Sequence, residues 1–337
     1  MKNICLVAYY DLKEALYEAK ISLEKNGYNV IGFPLYKLMY DIYDKQENYT
    51  DIFVDYIINN KIDVVFWWFI NIDSEKFKYI KEKTNVKYIF FNWDEPFNWE
   101  LCDIKNKAKY IDCAFITCKE SVNNYTSNGC QLVYNLPPAF SPTINFPIDI
   151  FDVNDYNKYY CDISFCCTNL YDTEEYNRQY IKRKKIIDDI YENQFKKRYK
   201  FHIYGPEKFK EMYPESYKGF ITYDKLNYLF NYSKINLCTH VICDADGYIN
   251  ERVILIGGSG GLLFVDNVKG INEYFKSNEE IIIIDKEKYV DQITNILDDY
   301  NYYVDIKKNF YHKCLYYYTY DAWAQFINEK FLKTIHS

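Results

Sequence analysis

Of the 41 basic residues only Arg178, Arg183, Arg198 and Arg252 are arginines, and all four lie in the second half of the chain. A guanidinium presents a planar fork that fits two phosphate oxygens, so arginines in a lysine-rich sequence are the first candidates for an anion clamp. Arg252 has the most suggestive setting. It closes the run Asp246-Gly247-Tyr248-Ile249-Asn250-Glu251-Arg252, which reads as the start of a helix. Free N–H groups and the positive end of the helix dipole attract anions there. Asp246, Gly247, Asn250 and Glu251 are therefore ligand candidates alongside it. The competing reading of Arg252 is a surface ion pair.

Two further positions could move or hold a proton. Asp94, in Trp93-Asp94-Glu95-Pro96, follows the strand pattern Val86–Phe91. A carboxylate at the carboxyl end of a parallel strand can act as general base for an acceptor hydroxyl. The same residues also suit a capped turn, with Asp capping and Pro opening the next helix. His240 closes the strand pattern Ile235–Thr239, as a ligand contact or as a hydrogen-bonded structural histidine. His202, inside an apolar strand, reads as structural. Tyr204-Gly205-Pro206 ends another strand pattern; it is a turn by composition that could offer a backbone edge and a ring to a base. The run Gly257-Gly258-Ser259-Gly260-Gly261 lacks the Lys-Ser/Thr of a phosphate loop and precedes a strand, which favours a helix C-cap and tight turn. Asp244-Ala245-Asp246 has the spacing of a metal-binding pair, but no His/Cys cluster accompanies it, so no metal site is expected.

The elements that must carry these residues follow from periodicity. In the first half, strand patterns at Ile4–Ala8, Val30–Phe33, Ile62–Trp68, Val86–Phe91, Ile111–Thr117 and Gln131–Tyr134 alternate with helical ones such as Leu12–Asn26. Near-continuous apolar strands between helices predict a parallel sheet covered on both faces. Four prolines from Pro137 to Pro147 then break the pattern and read as a linker or domain boundary. Alternation resumes with strands at Cys161–Cys166, Lys200–Tyr204, Ile235–Thr239, Leu262–Val265 and Glu280–Asp285, and helices at Glu174–Asn193, Tyr223–Tyr232 and Ile249–Ile256. The expected fold class is α/β: two doubly wound, Rossmann-like domains facing a central cleft.

Composition bounds the function. A chain of 337 residues with 49% apolar and 26% charged residues is an ordinary globular protein, not a disordered or disulfide-knotted one. Both halves are acidic, with 16 basic against 20 acidic residues over positions 1–150 and 25 against 28 in the remainder. No nucleic-acid partner is expected. The 11 cysteines are scattered without CxxC pairs and read as reduced thiols. No apolar run resembles a signal peptide or a span, so the expected location is cytoplasmic, without membrane insertion. The 20% aromatic content follows a bias toward AT-rich codons and is weak evidence for stacking.

In the second half the motif order is specific. Cys161-Asp162-Ile163-Ser164-Phe165 with Arg183 downstream is followed by His202-Ile203-Tyr204-Gly205, Tyr217-Lys218-Gly219-Phe220-Ile221-Thr222-Tyr223 and Ser233-Lys234-Ile235-Asn236-Leu237. Then come Arg252, the Gly258–Leu263 turn, Val265-Asp266, Gly270-Ile271-Asn272-Glu273-Tyr274-Phe275, Glu279-Glu280-Ile281 and Tyr318-Thr319-Tyr320. Over roughly residues 160–325 this order resembles the spore-maturation (CgeB-type) glycosyltransferases, a branch of the GT-B superfamily; the first half resembles them only through Trp93–Pro96. The resemblance implies an acceptor domain at 1–140, a nucleotide-sugar donor domain at 155–315, and a helix at 316–337 that crosses back to the first domain. It implies metal-independent transfer from a nucleotide-diphosphate sugar, without another cofactor, to a glycan or glycoprotein acceptor. Asp94 would be the base, Arg252 and Arg183 the phosphate partners, and Asp266, His240, Tyr223, Tyr204 and Gly205 further donor contacts. The chain departs from the family at Leu255, where relatives carry a ribose-binding Glu, and at Gly247, where they carry a carboxylate. A catalytically inactive binder of a nucleotide or glycan, or a sugar-nucleotide epimerase, therefore stays open.

Overall fold

A computed structural model describes residues 2–7, 14–41, 45–170, 172–174 and 176–336. The chain divides into two compact units, Met1–Pro138 with Tyr320–Ser337, and Ala139–Thr319.

The first unit holds strands β1 (Asn3–Val7), β2 (Asn29–Phe33), β3 (Val64–Trp67), β4 (Lys87–Asn92), β5 (Cys113–Ile116) and β6 (Leu132–Asn135), in the order β2-β1-β3-β4-β5-β6. Every pair is parallel. Val-Val-Phe-Trp in β3 and Cys-Ala-Phe-Ile in β5 are buried throughout, as a sheet with helices on both faces requires. Ala8, at the end of the first expected strand, and Leu12 and Lys13, at the start of the first expected helix, lie outside the described residues; the helix runs Glu14–Lys25. The helix Tyr320–Lys330 packs on this unit. Ser22 Oγ donates to Asp321 Oδ1 at 2.7 Å, Lys25 Nζ meets Asp321 at 2.8 Å, and Tyr28 donates its hydroxyl to Asn328 at 2.6 Å. Trp323 lies against the rings of Phe66, Trp68 and Phe91 at centroid distances of 5.7, 5.7 and 5.3 Å. Only the later part of the aromatic run 316–323 serves this packing. Tyr316 and Tyr317 end the helix Val304–Tyr317 of the second unit and are 74% and 56% exposed.

The second unit holds β7 (Cys161–Cys166), β8 (Phe201–Tyr204), β9 (Ser233–Cys238), β10 (Leu263–Val265) and β11 (Ile282–Ile283), again all parallel, in the order β11-β10-β9-β7-β8. Helices Asn177–Lys197 and Tyr289–Asp298 cover one face through Ile187, Ile190, Ile293 and Ile296. Helices Tyr223–Tyr232, Glu251–Gly258 and Val304–Tyr317 cover the other through Leu229, Val253, Leu255 and Phe310. Strand order reverses between β7 and β9, and in open α/β sheets ligands bind at the carboxyl ends beside such a switch point.

The proline-rich stretch expected as a linker is bonded to the second unit from Ala139 onward. Prolines cannot donate, and the neighbouring amides are met by side chains of the helix beneath: Phe146 N donates to Asn227 and Ile148 N to Asn231 at 3.0 and 2.9 Å. In the glycine run, Gly257 and Gly258 finish the helix and Gly260 makes the turn at φ +72. A Cβ on Gly258 would stand 2.3 Å from the Phe140 ring, so close packing as well as turn geometry demands glycine there. The 11 cysteines are free thiols, all but Cys167 and Cys243 buried. Among the described residues no helix is long and apolar enough to cross a membrane.

Candidate functional site

At the carboxyl ends of β7 and β9 the sequence Asn250-Glu251-Arg252 starts a helix for local reasons. Asn250 is extended (φ −75, ψ 156) and its side chain accepts from Val253 N, a standard N-cap. That cap fixes Arg252 in the first turn. Its Nη1 donates to the carbonyl of Cys166 and its Nη2 to that of Thr239 at 3.1 Å. The guanidinium thus spans the ends of both strands at the switch point. Asn250 Nδ2 also reaches the Thr239 carbonyl at 3.4 Å, and Tyr223 donates its hydroxyl to Glu251 at 3.2 Å. Gly247 turns the approach to the helix at φ +73, after the partly buried Asp246, and its N–H donates to the Lys269 carbonyl at 2.9 Å.

Arg183, on the helix Asn177–Lys197, is 2% exposed. Its Nε donates to Thr239 Oγ1 and its Nη1 to the Leu170 carbonyl, each at 3.1 Å, while the buried Nη2 has no partner. Burial, and then the like charge of Arg252, lowers its pKa. His240 is wholly buried, with Nδ1 2.6 Å from Asp266 Oδ1, and its main-chain N–H donates to Asp266 Oδ2 at 2.7 Å. The Cys243 thiol donates to the same Oδ2 at 3.2 Å. Burial pushes the Asp266 carboxyl up, but its interactions with His240 outweigh this and hold it below the ordinary aspartate value. Both oxygens of Asp266 are therefore engaged, one by the His240 ring and the other by the His240 N–H and the Cys243 thiol. With Nδ1 facing a carboxylate, the buried and unpartnered Nε2 is the ring position left for a ligand or a proton.

Tyr204 departs from its expected part. It is 5% exposed among the core residues beside Tyr159 and Cys161, so its ring is committed to packing and this corner offers only main chain. Gly205 is required by close approach: a Cβ there would lie 2.5 Å from the Phe209 ring and 2.7 Å from the Cys167 carbonyl.

In the first unit, Trp93–Phe97 forms a turn after β4 and the helix Asn98–Leu101 follows. Asp94 does not cap that helix with its side chain. It stays exposed, and partial desolvation by the surrounding chain raises its carboxyl from the ordinary value. The next residue, Glu95, is fully buried. Tyr125 donates its hydroxyl to Glu95 Oε2 at 2.9 Å, the Asn92 amide donates to the same oxygen, and Oε1 has no partner. Asn98 donates to Asn92 Oδ1 at 3.1 Å and completes the cluster. Burial drives the Glu95 carboxyl up to about 7 against the lowering effect of Ser121, Tyr125 and Asn92, which hydrogen-bond to it.

The structure brings Arg252, Arg183, His240, Asp266, Asn250 and Gly247 together at the β7–β9 end, with Tyr223 attached through Glu251. Thr239, whose carbonyl and hydroxyl bind both arginines, carries no signal in the sequence. Glu95 stands in the quoted Trp93–Pro96 motif, yet only tertiary packing decides which of its two carboxylates is buried. Among the described residues no group of three or more His, Cys, Asp or Glu is arranged to hold a metal ion.

Residues 178–329 match the family described as glycosyl transferase-like. No protein of curated function matches the chain by sequence. In solved structures, the chain is similar to the sucrose-phosphate synthase of Thermosynechococcus elongatus (TM-score 0.71, 10% identity, 100% of each chain covered). It is similar to Anabaena HepE in complex with UDP-glucose (TM-score 0.65, 9% identity, 100% of each covered). It is also similar to a glycosyltransferase of Rickettsia africae (TM-score 0.65, 11% identity, 97% of each covered). The chain thus has the GT-B fold, and most of the stretch that matches the glycosyl transferase-like family lies in its second unit.

Proposed function

We propose that the protein is a glycosyltransferase of the spore-maturation (CgeB-type) branch, moving a sugar from a nucleotide-diphosphate sugar to a hydroxyl of a glycan or glycoprotein. The observation that carries this is Arg252 at the switch point of a domain that matches the glycosyl transferase-like family. A cation fixed on strand-end carbonyls, next to a helix start, is preorganised for a diphosphate and needs no metal. Donors of its fork beyond the two engaged with carbonyls are the ones a diphosphate would take. The UDP-glucose held by HepE makes UDP-sugars the first donors to test.

In the transfer, the bond from the anomeric carbon to the diphosphate breaks as an acceptor hydroxyl oxygen bonds to that carbon. The departing electron pair stays on the diphosphate, whose charge Arg252 and the helix start Asn250–Arg252 offset. Asp94, exposed after β4 in the first unit, is the carboxylate proposed to take the hydroxyl proton.

A second reading has its own support. Leu255 is 1% exposed in the core, so the position that bears a ribose-binding Glu in relatives contacts no ligand here. That favours a nucleotide or glycan binder without transferase activity. A thermal-shift screen of UDP-, GDP- and ADP-sugars, followed by product analysis with glycan acceptors, separates the two. Stabilisation with sugar transfer supports the transferase, stabilisation without transfer or hydrolysis supports the binder, and no stabilisation by any nucleotide sugar removes both. A ligand at 100 times its dissociation constant adds about 2.7 kcal/mol.

A further inference from the structure

On the face of the second unit opposite the helix Glu251–Gly258 lies a cavity of about 160 Å³, between the helix Asn177–Lys197 and the carboxyl ends of β10 and β11. We propose that it binds a phosphorylated sugar, with the ring inside the cavity and the phosphate at its lysine-lined mouth. Arg183 and Asp266 are common to this cavity and to the corner of Arg252, so the test asks whether UDP and the sugar phosphate bind at the same time.

Size comes first. A cavity of about 150 Å³ holds benzene, so this one takes the six-atom skeleton of a sugar ring only with its outward hydroxyls and its phosphate lying at the mouth. The walls are apolar where a ring face would lie: Ile284 and Tyr289 are 3% and 5% exposed, and Ile186 joins them.

The polar end selects the ring's chemistry. Gln179 and Arg183 line the cavity and are 8% and 2% exposed, and Gln179 Oε1 and Arg183 Nη2 are both buried without a partner. One is an acceptor and the other a donor. A ring bearing hydroxyls, each able to donate and accept, satisfies both, whereas a hydrocarbon ring satisfies neither. Asp266, also in the lining, is already bonded to His240 and does not present an open negative charge.

Charge sets the substituent. Lys182, Lys185 and Lys286 line the cavity and are exposed, as residues at a mouth are. Lys185 is paired with Asp189 at 2.6 Å, so Lys182 and Lys286 are the cations for a phosphate. In a chain of net charge −7, this concentration of cations is a local exception that draws anions.

Phosphorylated sugar reaches the protein in two forms, as a free sugar phosphate or as the glycosyl-phosphate end of a nucleotide sugar. Calorimetry with the intact protein distinguishes them. A panel of glucose, galactose, mannose and N-acetylglucosamine 1- and 6-phosphates is titrated with and without saturating UDP, against wild type, Lys182→Ala/Lys286→Ala and Gln179→Leu. The expected result is binding of at least one sugar phosphate that saturating UDP leaves intact. The double lysine variant weakens it by about tenfold or more, the loss of charge-assisted hydrogen bonds. Gln179→Leu weakens the unphosphorylated sugar and its phosphate alike, while inorganic phosphate alone binds less tightly than the sugar phosphate. Both exposed lysines can be replaced without touching the core, so a folded variant with unchanged affinity overturns the proposal. Loss of sugar-phosphate binding when UDP is present, or no binding by any member at millimolar concentration, overturns it too. UDP affinity, measured in the same variants and expected unchanged, reports on the donor site independently.

Discussion

The carboxyl end of β4 buries an acid among neutral amides and a phenol, whereas the carboxyl ends of β7 and β9 bury cations against main-chain carbonyls. Glu95 has no counter-cation among its hydrogen-bond partners, so burial dominates and its pKa climbs to about 7. Arg252 and Arg183 keep their charge, because carbonyl dipoles and the Thr239 hydroxyl replace the water they lose. One corner therefore holds a carboxyl raised to about 7, whereas the two arginines of the other stay charged. That difference suits a first unit that handles protons and a second that neutralises a diphosphate.

The largest effect should come from breaking the dyad in the second unit. Asp266→Ala leaves His240 buried without its partner and removes the acceptor of the His240 N–H. Loss of one member of a buried pair costs about 3–5 kcal/mol, measured by chemical denaturation. A loss below about 1 kcal/mol would mean that the dyad does not hold this corner.

Glu95→Gln tests the first corner, and the sign is opposite. A carboxyl raised from 4.5 to about 7 binds its proton more tightly folded than unfolded. Folding stability is thus at its full value below about pH 4.5, falls as pH rises toward 7, and stays reduced above that. The variant should be more stable than wild type by about 3 kcal/mol at pH 8 and indistinguishable near pH 4. His202 in the second unit, lowered to about 4 by burial, has the reverse slope, destabilising as pH falls from 6.5 to 4. The comparison must therefore be variant against wild type at each pH. A flat difference across pH 4–8 would remove Glu95 as the neutral-range titrating group.

Gly205→Ala should cost about 1–3 kcal/mol, since the added methyl meets the Phe209 ring and the Cys167 carbonyl. A neutral effect in thermal denaturation would show that the β8 corner relaxes freely. The smallest effect expected is on metal removal. If arginine and a helix start neutralise the diphosphate, EDTA leaves transfer unchanged; loss restored by manganese would promote Asp244 and Asp246 to ligands.

How much of this was legible depended on whether the signal was local. β-rich runs such as Cys161–Cys166 and helical runs such as Tyr223–Tyr232 match the observed elements residue for residue, because the periodicity that marks each is local. The helix expected at Ile249–Ile256 is found at Glu251–Gly258, its start shifted by two residues because the cap is Asn250. The burial of Asp266 and Tyr204 was not legible because their partners, His240 and the Tyr159–Cys161 region, lie far away in sequence. Glu95 and Thr239 were missed on the same ground: adjacent residues alternate between solvent and core, and only the fold settles which is which. The proline stretch read as a linker because nothing local reveals that Asn227 and Asn231 bind its amides.

The role proposed for Arg252 is to hold a diphosphate in the second unit. Its most direct test is calorimetric binding of UDP, or of whichever nucleoside diphosphate the screen selects, and of the bare nucleoside to wild type, Arg252→Lys and Arg252→Ala. Arg252→Ala should weaken the diphosphate by about 1.5–3 kcal/mol and leave the nucleoside unchanged. Arg252→Lys should recover part of the loss, since an ammonium is a point charge without the fork. Full diphosphate affinity in a folded Arg252→Ala protein would contradict the claim and leave Arg252 a structural tie between β7 and β9.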